Sequence, residues 1–180
     1  MSSDAFKHLL HRVASGQTLG PAEAAQAFGV ILRGDATEAQ VASFVSFLHM
    51  RGETNEEIAA AASVLRDHVV RVSAPEDAID MVGTGGDGIG TLNISTAASI
   101  VVAACGVKVA KHGNRALSSK SGAADVLAAL GVRLSLSPEQ ISTCIDRSGI
   151  GFMFAPDHHK ALANVAQVRR QLGFRTVFNL

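Results

Sequence analysis

Two polar segments, one rich in glycine and one in cations, are where this chain could do chemistry. The first runs Asp80-Met81-Val82-Gly83-Thr84-Gly85-Gly86-Asp87-Gly88 and continues to Thr91, Asn93, Ser95 and Thr96. Glycines let an anion approach several backbone N–H groups, and a helix N-terminus beyond them adds a favourable dipole. A simple N-cap would explain Asn93 or Ser95 taken singly, but not glycines, hydroxyls and an amide crowded together. The second segment, Lys111-His112-Gly113-Asn114-Arg115-Ala116-Leu117-Ser118-Ser119, gathers two cations, two hydroxyls, an imidazole and an amide without aliphatic periodicity. An exposed basic loop is the plain alternative for it. Both segments, however, follow apolar runs that read as strands, and parallel sheets place their ligands at the carboxyl ends of strands. The pattern therefore predicts one anionic ligand shared by two loops.

Gly83, Gly85 and Gly88 also satisfy a GxGxxG spacing. A dinucleotide site needs the helix to open directly on the glycines and an acid about 20 residues further on. Here the helix signals start only near Asn93, and the second strand ends in Lys108 and Lys111. The dinucleotide reading fails on both counts.

The elements that must position these loops divide the chain near Ser73-Ala74-Pro75. Before it, four helices are expected. Phe6, Leu9, Leu10 and Val13 share one stripe; Ala24, Phe28, Ile31 and Leu32 follow Pro21; Val41, Phe44, Val45 and Leu48 follow a Thr37–Gln40 capping box; Ile58, Ala61, Ala62, Leu65 and Val69 follow a Thr54–Glu57 box. After it, strands and helices alternate. Strands are expected at Ala78–Val82, Val107–Ala110 and Gly151–Ala155, with a polar loop over Lys111–Ser121. Helices are expected near Ser95–Ala104, before Gly131, after Ser137-Pro138-Glu139-Gln140, and over about Asp157–Leu172. The fold class is thus α/β: a helical domain over 1–72, then the start of a parallel-sheet domain over 73–180. The helix over about 157–173 is a candidate to pack back on the first domain.

Composition narrows the function classes. A net charge of zero removes the long-range attraction that nucleic acid or a membrane surface would exert. The most apolar run, Ala97–Ala104, is too short to span a bilayer, and the N-terminus lacks the layout of a signal peptide. Cys105 and Cys144 read as buried free thiols in preference to a disulfide, and with no Trp or Tyr stacking platforms for single strands are scarce. A cytoplasmic protein is expected.

The segments GTGGDGIGTLNIST and KHGNRALSSKSGAADVLAALG are similar to the two signature segments of the anthranilate phosphoribosyltransferases. The resemblance continues through GIGFMFAPDHHKAL and VRRQLGFRTVFNL, and so covers essentially the whole chain. Pyrimidine nucleoside phosphorylases share the architecture, but an SGRG-like second loop is expected of them. The resemblance implies transfer of a phosphoribosyl group from 5-phosphoribosyl 1-pyrophosphate to anthranilate, in tryptophan biosynthesis, by a homodimer joined through its N-terminal helices.

Carried over by position, it implies that Gly83, Gly86, Asp87, Thr91, Asn93, Ile94, Ser95 and Thr96 surround the phosphoribosyl pyrophosphate. Lys111, His112, Gly113, Asn114, Arg115, Ala116, Leu117, Ser118, Ser119 and Ala123 would complete that pocket, and Ser95 would touch a Mg2+ ion. Gly83, Asn114 and Arg169 would hold anthranilate, with Arg169 on its carboxylate. No general base is assigned, and His112 is given a binding or structural role. A solvated helix face is the plain alternative for Arg169, because Arg170 and Arg175 are close by.

One departure accompanies the match. The family runs on past Phe178-Asn179-Leu180 and supplies an acidic pair for magnesium, which Asp77, Asp80 and Asp87 do not match. The expectation is a fragment or a short relative, with an unpaired sheet edge and uncovered apolar surface. A non-catalytic binding relative is the third reading of function.

Overall fold

The computed structural model describes residues 3–83, 92–116 and 121–179. In chain order its helices and strands are α1 (Ser3–Ala14), α2 (Pro21–Arg33), α3 (Glu38–Arg51), α4 (Asn55–Asp67), α5 (Ile94–Ala104), β1 (Val109–Gly113), α6 (Ala123–Ala129), α7 (Pro138–Ser148), β2 (Ile150–Phe154), α8 (Ala155–His158) and α9 (Ala163–Leu172). Single 3-10 turns lie at Lys160–Leu162 and Val177–Asn179. Two compact units result: residues up to Val69 together with those from His159 onward, and Val70–His158 between them.

In the first unit, local capping starts the helices and a shared apolar interior holds them together. The Thr37 hydroxyl accepts the Gln40 N–H at 3.3 Å while Gln40 Oε1 accepts the Thr37 N–H at 2.9 Å. Thr54 and Glu57 make the same reciprocal pair at 3.2 and 2.9 Å. The stripes of α1, α2 and α3 meet in a core where Phe44 lies 5.7 Å from both Phe6 and Phe28. Burying each ring contributes on the order of 1.5–3 kcal/mol. Val165 and Val168 of α9, and Val177 after it, belong to this same core.

On α4 the buried positions are Glu57, Ala60 and Ala61, while Ile58, Ala62 and Leu65 are only partly covered, and Val69, also partly covered, lies beyond the end of the helix. Glu57 is 0% exposed. Its carboxylate accepts the Leu19 and Thr54 N–H groups, both at 2.9 Å, and Arg51 Nη2 at 2.7 and 2.8 Å. Burial pushes the Glu57 carboxyl up, but the Thr54 and Leu19 amides and the Arg51 guanidinium together bring it below its ordinary value.

The helix expected from Asp157 to Leu172 is broken in the structure. α8 ends at His158, and His159 leaves the helical region at φ −109°. The cause is a non-local pair of bonds. The Val70 N–H donates to the His158 carbonyl at 2.9 Å, and His158 Nδ1 lies 2.7 Å from the Val70 carbonyl. The His158 carbonyl thus serves Val70 instead of a following helical turn.

The second unit is built on β1 and β2, paired in parallel with Val109 opposite Ile150 and Gly113 opposite Phe154. α5 packs against β1 and α7 against β2. The second strand therefore lies two to three residues beyond its expected span, and Lys111–Gly113 are strand, not loop. The expected first strand reduces to a single bridge, Ile79 opposite Val109. The Ile79 N–H donates to the Lys108 carbonyl and the Ala110 N–H to the Ile79 carbonyl, both at 2.9 Å. The next donor, the His112 N–H, turns to Asp80 Oδ1 at 3.0 Å, so a side chain takes the place of a ladder carbonyl. Among the described residues the sheet has two strands, and Val82, Ile100, Val101 and Leu130 are exposed on this unit. The cysteines differ from expectation: both are free, but Cys105 is exposed at the end of α5 and Cys144 is half-buried. Among the described residues no helix is long and apolar enough to cross a membrane.

Candidate anion-binding site

Extension of β1 to Gly113 decides where the cations point. Side chains alternate along a strand, and Val109, Lys111 and Gly113 take the buried side. Lys111 is only 1% exposed. Its Nζ donates to the Met81 carbonyl at 2.6 Å and lies 3.5 Å from Ser95 Oγ. Burial pushes this ammonium below its usual range, and Asp80 pulls it back. A partly desolvated ammonium gains most from a charged acceptor, and a phosphate oxygen is one. His112, on the other side of the strand, is also pushed down by burial, opposed by Asp80 and reinforced by His158 and Lys111. It therefore favours the neutral form.

The entrance of α5 lies against the same strand. Asn93 makes no cap with its side chain; instead Nδ2 donates to Ser121, at 3.2 Å to Oγ and 3.4 Å to the carbonyl. Thr96 is 3% exposed, and its Oγ1 has no partner among the described residues. A buried hydroxyl without an acceptor is costly, and a ligand oxygen would relieve it. Ser95, Thr96, Asn93 and Lys111 thus bring the two sequence segments together, as the shared-ligand reading requires.

The exit of β1 is pinned to α6. The Asn114 carbonyl accepts the Ala124 N–H at 3.2 Å, and Asn114 Oδ1 accepts the Arg115 N–H at 2.8 Å. The Asp125 carboxylate accepts the Ala116 and Gly122 N–H groups, each at 2.9 Å, and Arg115 Nη1 at 3.1 Å. Glycine is required at two positions. A Cβ on Gly113 would come within 2.9 Å of the Phe152 ring and 3.1 Å of Ala123 Cβ, and one on Gly122 would lie 2.4 Å from the Ala116 nitrogen.

Of the other residues implied by the resemblance, Gly86, Asp87, Thr91, Leu117, Ser118 and Ser119 lie outside the described residues. Gly83 is exposed, and the Ile94 side chain faces solvent, so Ile94 could offer a ligand only its backbone. Ala123 is half-buried at the start of α6. Arg169 is on α9, in the first unit. It is half-buried, burial pushes its guanidinium below the usual value, and it has no hydrogen bond or ion pair to another described residue.

Two functional candidates escaped the sequence reading, Asp80 and Asp125, which hold the backbone of the second segment at His112 and at Ala116. Asp125 carried a usable signal, since it stands three residues after Gly122 in the position of a capping-box acid. For Asp80 there was none, because its partner is 32 residues away.

For a metal, the described residues offer no group of three His, Cys, Asp or Glu. Ser95 supplies one hydroxyl. Mg2+ keeps waters readily and is commonly held by few protein ligands plus substrate phosphates. The donor set therefore fits an ion that arrives with a pyrophosphate, not one caged by protein alone.

The chain combines a helical unit with an α/β unit that gathers a buried ammonium of β1, an unpartnered hydroxyl and the entrance of α5. Residues 75–180 match the glycosyl transferase family a/b domain and residues 7–69 match the helical bundle domain of that family. The chain belongs to this glycosyl transferase family. It is 56% identical over 97% of its length to an anthranilate phosphoribosyltransferase of Rhodopseudomonas palustris strain TIE-1, covering 52% of that protein. A solved anthranilate phosphoribosyltransferase of Thermus thermophilus superposes with a TM-score of 0.88 at 43% identity, over 95% of this chain and 52% of that one. One from Saccharomyces cerevisiae, solved in complex with PRPP and Mg, superposes with a TM-score of 0.88 at 31% identity, over 99% of this chain and 54% of that one. The chain spans about half the length of the relatives it matches.

Proposed function

We propose that the protein carrying this chain is a cytoplasmic anthranilate phosphoribosyltransferase of tryptophan biosynthesis. It would join anthranilate to 5-phosphoribosyl 1-pyrophosphate and release pyrophosphate. The observation that carries this reading is the buried Lys111 ammonium beside Ser95 and the unpartnered Thr96 hydroxyl, within segments shared with relatives of that name. The reaction breaks the bond from the anomeric carbon to pyrophosphate and forms a bond from the same carbon to the anthranilate nitrogen. Lys111, Thr96 and the backbone donors around Gly83 and Asn93–Thr96 bind the departing charge, while Arg115 and Asn114 orient the donor. Ser95 would offer a hydroxyl to a Mg2+ ion arriving with the pyrophosphate, and such an ion would add to the neutralisation of the leaving group. Arg169 takes the anthranilate carboxylate, since a planar guanidinium can pair with both of its oxygens.

Steady-state kinetics on the full-length protein test the reading. Product forms from anthranilate and phosphoribosyl pyrophosphate, and none forms from a pyrimidine nucleoside and phosphate; the reverse pattern identifies a nucleoside phosphorylase, and silence with both pairs a binding relative. In the same assay Arg169→Ala raises the anthranilate KM about tenfold or more, the loss expected of a charge-assisted pair. The KM for phosphoribosyl pyrophosphate stays nearly unchanged, and Arg169→Lys rescues only in part. Equal losses for both substrates would reassign Arg169 to a structural role.

We further propose that the N-terminal helices carry a homodimer contact. Phe44, Val45 and Leu48 fill the core of their own unit and so supply no surface, while Phe47 packs against that core and is only partly buried. Further support comes from Met50, 81% exposed on α3, and from Phe174, partly exposed and stacked on His49 at 4.8 Å. Sedimentation at micromolar concentration should give twice the chain mass; a monomer throughout that range refutes the contact.

A further inference from the structure

A carboxylate among cations that receive an anion is repulsive unless it has work of its own. Asp125 is such a group. Its Oδ2 accepts both the Ala116 and Gly122 N–H groups at 2.9 Å, and its Oδ1 accepts Arg115 Nη1 at 3.1 Å. Capping of α6 accounts for the Gly122 bond alone. The other two bonds reach back nine and ten residues, to the exit of β1. That exit is pressed onto the start of α6: a Cβ on Gly122 would lie 2.4 Å from the Ala116 nitrogen, 2.6 Å from the Arg115 carbonyl carbon and 2.7 Å from the Asn114 oxygen. No side chain fits between them, so the placement of Asn114–Ala116 and that of Asp125 are set together.

Arg115 is held from a second side as well, its guanidinium carbon 6.0 Å from the centre of the Phe154 ring. Yet its side chain is 58% exposed, and Asp125 occupies one of its five N–H groups. An exposed arginine fixed at one corner and along one face presents its remaining donors in one direction. Ordering a long side chain is a cost that binding otherwise carries.

We infer that Asp125 is a positioning residue: it holds Arg115 and the Asn114–Ala116 backbone ready for the phosphoribosyl pyrophosphate of the proposed reaction, without touching it. The inference rests on that functional reading. The two oxygens have separate tasks, and this makes the idea testable. In Asp125→Asn the amide oxygen can keep both backbone N–H groups, while the amide NH2 replaces the acceptor that Arg115 needs.

The test is calorimetric titration of the full-length protein with phosphoribosyl pyrophosphate and Mg2+, with the melting temperature measured alongside. Asp125→Asn should weaken binding about three- to tenfold, the range for one side chain left to be ordered by the ligand. Arg115→Ala with Asp125→Asn should bind no worse than Arg115→Ala alone, because the two changes remove one interaction. The anthranilate KM should move less than about twofold, a split that general loosening of the unit would not give. Asp125→Gln, whose amide oxygen can still accept the Gly122 N–H from the capping-box position, reads the same loss if the asparagine variant folds poorly. Unchanged affinity in Asp125→Asn, or independent losses in the double variant, overturns the positioning role and leaves the functional reading intact. Failure of the unaltered protein to bind phosphoribosyl pyrophosphate overturns that reading and the inference with it.

Discussion

Glu57→Ala should lower the stability of the helical unit by about 3–5 kcal/mol, the cost of breaking a buried ion pair from one side. The size follows from what the carboxylate serves: two backbone N–H groups, from Leu19 and Thr54, and the Arg51 guanidinium. Without it, those donors are buried with nothing to accept them. The Arg51 side chain is 15% exposed, and its Nε and Nη1 are buried without a partner among the described residues, so it would depend on water that hardly reaches it. Glu57→Gln should cost less, since one oxygen can still serve an amide. Urea unfolding checks both variants, and a loss near 1 kcal/mol for the alanine variant would mean that Arg51 finds another acceptor. The pH dependence has a definite sign. With its folded pKa below the ordinary value, Glu57 contributes its full stabilisation above about pH 4.3, the free carboxyl value. That contribution falls away as the pH drops through the lower folded value, and the acid side of the stability profile should flatten in Glu57→Gln.

Lys111→Ala should weaken binding of phosphoribosyl pyrophosphate by about 1.5–3 kcal/mol, roughly ten- to 150-fold, as for a lost charge-assisted bond. The ammonium has two tasks. It holds the Met81 carbonyl at 2.6 Å, just before Gly83, and it brings positive charge to within 3.5 Å of Ser95 Oγ. Lys111→Met keeps most of the volume but supplies neither, so it should lose nearly as much as alanine in titration with the ligand. If the methionine variant binds normally, Lys111 acts by filling space between Met81 and Ser95 and the shared anionic site is wrong.

Much of this was legible in the chain itself. Three of the helix starts are local agreements between a hydroxyl and a residue three positions on, at Thr37, Thr54 and Ser137, and the structure forms all three. The stripes of α1, α2 and α3 were readable because helical spacing needs no partner to be recognised. The two polar segments stood out because glycines and short polar residues without aliphatic periodicity have few structural uses.

Register and burial of charge were not legible. Whether β1 starts at Val107 or Val109 depends on its neighbour, β2, and that shift of two to three residues turned Lys111 from a loop cation into a buried one. The expected strand at Ala78–Val82 failed because the Asp80 carboxylate captured the His112 N–H from across the sheet. The capping bond of Glu57 to Thr54 is local and was legible, but its burial and its second backbone partner, Leu19, 38 residues earlier, were not. The long final helix was cut by Val70, 88 residues from His158. By itself, then, the sequence determined the helices, their caps and the residue types gathered at the candidate site, because these rest on spacing within a few residues. The tertiary structure alone decided which cation is buried, which carboxylates hold the backbone and where the strand ends. Each of those depends on a donor and an acceptor that the chain brings together only by folding.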